Sequence, residues 1–235
     1  MRILLAIASV FVLVSHCSAT AIVAIFQNTA GQSRIVFGVD GLQTLVDGQG
    51  KPIDSHAQCK IGRIDSYFYA VAGIVYSPDR SYDVYRELQT TLSGKGSFAE
   101  KVKLLEAVLL KELNSTAEWP PPAFVQVFIV NSAEFPNYYI GYFARDAWGQ
   151  WRMLPRSGMR DSIPMDTRVV VLGVRDSTPP SNDRLNNLLK DAAAAVKQLI
   201  REQAAQHPTT VGEPISIVEI KKSGVHWIER GACEQ

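Results

Sequence analysis

Apolar runs dominate the chain after its first twenty residues. Ala21-Ile-Val-Ala-Ile-Phe26 is unbroken, the turn-rich Gln27–Gly31 follows, and Arg34-Ile-Val-Phe-Gly-Val39 resumes the pattern. Two such runs around a short polar segment predict a β-hairpin. A polar, glycine-rich stretch covers Asp47–Asp54, and Ser66-Tyr-Phe-Tyr-Ala-Val-Ala-Gly73 predicts a further strand ending in glycine. Strands that are apolar at every position suit a sheet covered on both faces.

The period then changes. From Pro78-Asp79 onward Val84, Leu88 and Leu92 share one helical face. Ser97 and Glu100 form a capping-box pair at the head of a second helix carrying Val102, Leu105, Val108, Leu109 and Leu113. Trp119-Pro-Pro-Pro122 stops it. Strands are predicted at Phe124–Val130, Tyr138–Phe143 and Arg168–Gly173, a long helix at Asn182–Gln206, and a closing hairpin from Ile215–Ile220 and Val225–Ile228. Runs of strands alternating with runs of helices imply an α+β protein with antiparallel sheets. The architecture expected is a four-layer αββα sandwich, two antiparallel sheets face to face with helices outside.

Residues 1–19 change the picture of where the domain begins. A single charge at Arg2, an apolar core from Ile3 to Val14 and a short polar end in small residues make a secretory signal pattern. The core is shorter than the roughly 20 residues a membrane-spanning helix needs. Cleavage is expected after Ala19; a lipoprotein cut before Cys17 is disfavoured by the bulky His16. The expected domains are the signal peptide 1–19 and one domain, 20–235, in a secreted or periplasmic protein without stable membrane insertion. Without Arg2, the mature chain has 23 basic and 23 acidic side chains. That balance gives no reason to expect nucleic acid or an anionic membrane as partner. Cys59 and Cys233 remain and could form one disulfide.

Cleavage at Ala19–Thr20 would give Thr20 a free α-amine beside its own hydroxyl, a nucleophile and base in one residue. The amine's ordinary pKa near 8 suits that task. Three helpers are needed. A lysine nearby lowers the amine pKa by like-charge repulsion, a carboxylate orients the lysine, and a backbone N–H stabilises the oxyanion.

Thr20-Ala-Ile-Val-Ala-Ile-Phe, Phe-Gly-Val-Asp40, Cys-Lys60-Ile and Ala-Val-Ala-Gly73 together resemble the first half of proteasome β-type subunits, which are N-terminal nucleophile hydrolases. The resemblance implies the fold type above, Thr20 as nucleophile, Lys60 as its pKa modulator, Asp40 as the lysine's partner and the Gly73 amide as oxyanion donor. It also implies that Val71 lines the pocket for the substrate side chain. The second half departs from the family. His207-Pro-Thr-Thr-Val-Gly212 stands where an Asp and a Ser usually support the amine, and Leu172–Asp176 is the nearest segment to the family's Gly/Ser-rich loop.

Other sites are weaker. His56 and Cys59 are two ligands, not a metal site. Gly94-Lys-Gly-Ser97 lacks the full spacing of a phosphate loop. His226 and Trp227 read as packing, and Asn114-Ser-Thr116 is a glycosylation sequon. The expected function is a threonine-type endopeptidase or amidohydrolase acting on peptides or small amides, needing no metal or other cofactor. The alternative is an inactive relative serving as a binding or assembly module. Family members commonly form rings, so homo-oligomers are also an expectation.

Overall fold

A computed structural model describes residues 17–18, 20–29, 32–46, 52–77, 81–115, 124–154, 167–173 and 190–233. The apolar core of the expected signal peptide, the expected helix start at Pro78-Asp79, the Trp119–Pro122 stop, residues 174–176 of the expected loop and the first turns of the expected long helix lie outside them.

A two-residue strand, β1 (Cys17–Ser18), precedes β2 (Ile22–Thr29) and β3 (Gln32–Asp40), which form the expected hairpin. The next elements are β4 (Leu42–Val46), β5 (Pro52–Ala57), β6 (Ile61–Ile64) and β7 (Tyr67–Ile74). Helices α1 (Val84–Ser93) and α2 (Phe98–Ser115) follow, then β8 (Phe124–Asn131), β9 (Tyr138–Arg145), β10 (Trp151–Met153) and β11 (Thr167–Leu172). The chain ends with α3 (Ala192–Gln206), β12 (Ile215–Lys221) and β13 (Gly224–Glu229).

One sheet runs β11-β2-β3-β12-β13, a second runs β1-β7-β8-β9-β10 with β6 also on β7, and β4–β5 form a third. Side-chain alternation explains the unbroken apolar runs, because successive residues of a strand point to opposite faces. Along β2, Ile22 and Ala24 join the core between the two large sheets, while Val23 and Ile25 join a core with α3. Along β7, Phe68, Ala70 and Ala72 face between the sheets, whereas Tyr67 and Val71 pack beneath α1 and α2.

Local chemistry fixes the helix starts. Asp83 caps α1 by accepting from the Tyr85 and Arg86 amides, so this helix begins after the Pro78-Asp79 start expected from sequence. The Ser97–Glu100 capping box forms as expected: Glu100 Oε2 accepts from the Ser97 amide and hydroxyl, both at 2.8 Å. Leu88, Leu92, Leu105, Leu109 and Leu113 are fully buried. Each such side chain stabilises the fold by about 1.5–3 kcal/mol.

The expected αββα sandwich is corrected by the strand inventory. The described residues are mostly β, with thirteen strands, three helices and three antiparallel sheets instead of two. A single described helix, α3, covers the five-stranded sheet. The unexpected sheet, β4–β5, takes in Pro52–Asp54 of the polar, glycine-rich stretch; the described side chains of β5 are exposed, so no apolar alternation marks it. Strand β10, three residues long, was too short to register a period.

Cys59 and Cys233 form a disulfide across 174 residues of sequence. Closing a loop of that length contributes on the order of 5 kcal/mol in the chain-entropy account. It ties the residue before Lys60 to the C-terminal turn after β13. No described helix is long and apolar enough to cross a membrane.

Candidate active site

The chain reaches Thr20 along β7, with Cys17 opposite Ile74 and Ser18 opposite Gly73 in antiparallel register. Thr20 has no solvent exposure in this uncleaved chain. Its neighbour Ala21 is clasped by Asp40, the last residue of β3. The Ala21 amide donates to Asp40 Oδ1 at 2.8 Å, and the Asp40 amide donates back to the Ala21 carbonyl at 3.2 Å. Asp40 therefore fixes the backbone one residue from Thr20.

The Asp40 carboxylate is wholly buried and well supplied with donors. Oδ2 accepts from the Leu42 and Gly212 amides, each at 3.2 Å. Lys60 Nζ lies 3.3 Å from Oδ1 and 3.2 Å from Oδ2, and it also donates to the Leu42 carbonyl. Lys60 is itself only 4% exposed, which makes this an enclosed ion pair and not a surface contact. Burial pushes the Asp40 carboxyl above the usual carboxylate range, opposed by the Lys60 charge and by the Ala21 and Gly212 amides. Burial likewise pulls the Lys60 ammonium below the usual lysine value, opposed by Asp40.

Gly73, the penultimate residue of β7, has φ +93°, and a Cβ there would lie 2.1 Å from the Phe124 carbonyl oxygen. Only glycine fits without displacement. Val71, expected to line a substrate pocket, is fully buried in the core beneath α1 and α2.

The second half of the chain reaches the site through its backbone. Residue 212 supplies an amide to Asp40, and the Gly41 amide donates to the Gly212 carbonyl at 3.2 Å. Thr209 offers its carbonyl to the Thr44 hydroxyl at 2.7 Å, while Thr210 Oγ1 donates to the His207 carbonyl at 3.3 Å. The 207–212 turn thus reaches Asp40 and Thr44 by main-chain groups. Gly173, just after β11, has φ +108°, and a Cβ there would fall 1.4 Å from the Thr20 carbonyl oxygen. The Gly173 amide donates to Gln126 Oε1 at 2.5 Å.

The structure accordingly gathers Thr20, Asp40 and Lys60, with Gly73 opposite the approaching chain, and leaves Val71 enclosed. Sequence reasoning missed Gln126 and the role of the Gly212 amide. The signal for Gln126 was there: it is the polar position inside the otherwise apolar run Phe124–Val130. Cys59 is spent in the disulfide and His56 is exposed, and among the described residues no three potential metal ligands cluster. Gly94–Gly96 and the Ser97 cap form the turn between α1 and α2, and His226 stands exposed on β13. The Asn114 carboxamide bonds the Leu110 and Trp151 carbonyls and the Trp151 amide, joining α2 to β10.

No family model and no curated protein matches this chain.

Proposed function

We propose that this chain is an exported N-terminal threonine hydrolase, unmasked when the leader is removed after Ala19. The observation that carries the reading is the buried Asp40–Lys60 pair bonded to the backbone at Ala21, beside Thr20. A buried ion pair costs desolvation that apolar side chains would not, and ionisable groups perturbed in this way cluster at functional sites, which supports a chemical role for the pair beside Thr20. The resemblance of residues 20–73 to proteasome β-type subunits supports the same assignment.

In this reading Thr20 Oγ attacks the substrate carbonyl and its proton passes to the Thr20 α-amine. The Gly73 amide stabilises the oxyanion. Collapse breaks the C–N bond, the ammonium gives its proton to the leaving amine, and an ester to Thr20 remains. Water then attacks the ester, releasing the acid and restoring the hydroxyl. Lys60, held by Asp40, keeps the amine's pKa low enough for it to act as base. The α-amine exists only after cleavage, so the leader is a mask as well as an address.

Peptides fit this site because the chain before Thr20 already runs as a strand against Gly73 and Ile74. An extended acyl segment replacing the leader would pair with the same β7 edge. Small amides remain the other substrate class, and oligomers are part of the proposal. The disulfide favours an oxidising compartment, outside the cytoplasm.

The decisive test is labelling of the processed protein by a β-lactone or vinyl sulfone, mapped by mass spectrometry. The proposal expects one adduct, on Thr20, absent from Thr20→Ala. Folded, correctly processed protein that resists several such probes would instead support a non-catalytic binding or assembly module. That second reading draws on the 207–212 turn, where Thr210 Oγ1 is bonded to its own turn.

A further inference from the structure

On β8, the side chains facing the five-stranded sheet are Phe124, Gln126, Phe128 and Val130, and the three hydrocarbon members belong to the core between the sheets. A half-buried carboxamide in that row costs free energy unless it is hydrogen-bonded. Its partner is specific. Oε1 accepts the Gly173 N–H at 2.5 Å, so the bond crosses from the six-stranded sheet to the end of β11 in the five-stranded sheet.

Both ends of this bond lead to the site. Gly173 lies so close to the Thr20 carbonyl that an ideal Cβ would fall 1.4 Å from its oxygen. Gln126 is registered against Ala72 on β7, and its neighbour Val125 against Gly73. Thr20 leads directly into β2 of the five-stranded sheet while Gly73 lies in β7 of the six-stranded sheet, and the Gln126–Gly173 bond spans the gap between the two sheets. Acyl transfer depends on that gap, because the nucleophile and the oxyanion donor must reach the same carbonyl.

We infer that Gln126 is a positioning residue: through Gly173 it sets the distance between the Thr20 nucleophile and the Gly73 amide. The inference rests on the hydrolase reading above and adds a residue to it. It makes the acceptor oxygen at position 126, and not its amide nitrogen, the functional atom. Misplacing a reacting group by about 1 Å can cost roughly a hundredfold in rate.

The test uses processed protein, a β-lactone probe and two substitutions. Gln126→Met keeps the length and suits the apolar surroundings, but it removes the carboxamide oxygen. Gln126→Glu keeps an acceptor oxygen and adds a negative charge. Saturating acylation of Thr20 is expected to fall about tenfold to a hundredfold in Gln126→Met, with half-saturation nearly unchanged. Gln126→Glu is expected to recover most of the rate, with its pH profile displaced upward because the added charge stabilises the protonated amine. In glycine-15N spectra, hydrogen exchange at the Gly173 amide is expected to accelerate in Gln126→Met and stay slow in Gln126→Glu.

Wild-type acylation rates in folded Gln126→Met would overturn the inference, as would loss of melting temperature with no change in the saturating rate. Equal loss in both variants would overturn it too, since the acceptor would then not matter. If Gln126→Met does not fold, the Gln126→Glu rate and pH profile decide: a Gln126→Glu protein with protected Gly173 and a lost rate counts against it. Wild-type protein that is never acylated would overturn the hydrolase reading instead. Gly173 exchange would then report whether the clamp exists apart from catalysis.

Discussion

The surroundings of Thr20 are of two kinds. The first is charged side chains, Asp40 and Lys60, enclosed together and bonded to Ala21 and Leu42. The second is backbone: the Gly212 amide to Asp40, the Thr209 carbonyl to Thr44 and the close approach of Gly173 to Thr20. The first is ionisable, and burial pushes both of its groups toward their neutral forms. The second cannot titrate and contributes geometry. A site of this kind is sensitive to charge on one flank and to shape on the other.

Substitutions should separate the two flanks. The largest loss is expected from Asp40→Ala, which strips the acceptor from three backbone amides and leaves Lys60 buried without its counter-charge. Removing one partner of a buried pair costs about 3–5 kcal/mol. The urea midpoint should fall accordingly, and an unchanged midpoint would mean that the pair is not enclosed in solution.

Next comes Gly173→Ala on the backbone flank. The left-handed conformation alone costs about 1–3 kcal/mol for a residue with a Cβ, and the Thr20 carbonyl must also move. Acylation by a β-lactone should drop further than stability does, because the displaced group belongs to the proposed nucleophile, Thr20. Equal acylation of Gly173→Ala and wild type would remove Gly173 from the site.

The smallest effects form a pair. Thr44→Val deletes the donor to the Thr209 carbonyl and should cost about 0.5–1.5 kcal/mol. Thr209→Ala keeps that carbonyl and should stay within about 0.5 kcal/mol of wild type. A larger loss in Thr209→Ala than in Thr44→Val, read from thermal or urea melts, would reverse the assignment of that turn to main-chain chemistry.

The same division explains what the sequence disclosed. Thr20, Asp40 and Lys60 could be singled out because hydroxyl, carboxylate and ammonium are residue types, and their order along the chain could be read directly. The Gly212 amide was not legible, because almost every residue carries an N–H and nothing in His207–Gly212 marks which one points at Asp40. Gly173 lay at the edge of a segment singled out for its position, but its contact with Thr20 needed the register of β11 on β2. Gln126 was visible as a polar break in an apolar strand, and its meaning appears only with the second sheet in place.

For the fold, the hairpins β2–β3 and β12–β13 followed from apolar runs around short turns. The sandwich did not. The β4–β5 hairpin is outlined by exposed residues such as Ile53, Asp54 and His56, and hydrogen-bonded register leaves no trace in a polar stretch. Layer counting from apolar runs therefore missed a whole sheet and gave helices too large a share. Val71 shows the same limit at one residue. The resemblance implied that it lines a substrate pocket, and alternation along β7 puts it in the core under α1 and α2.

Everything proposed for Thr20 depends on its becoming the first residue of the chain, since only then does it have an amine to serve as base. The most direct measurement is the N-terminal sequence and intact mass of the protein recovered after export. The account predicts a start at Thr20 and a mass for residues 20–235 with Cys59 and Cys233 oxidised. A mature protein beginning at any other residue would contradict the catalytic role of Thr20.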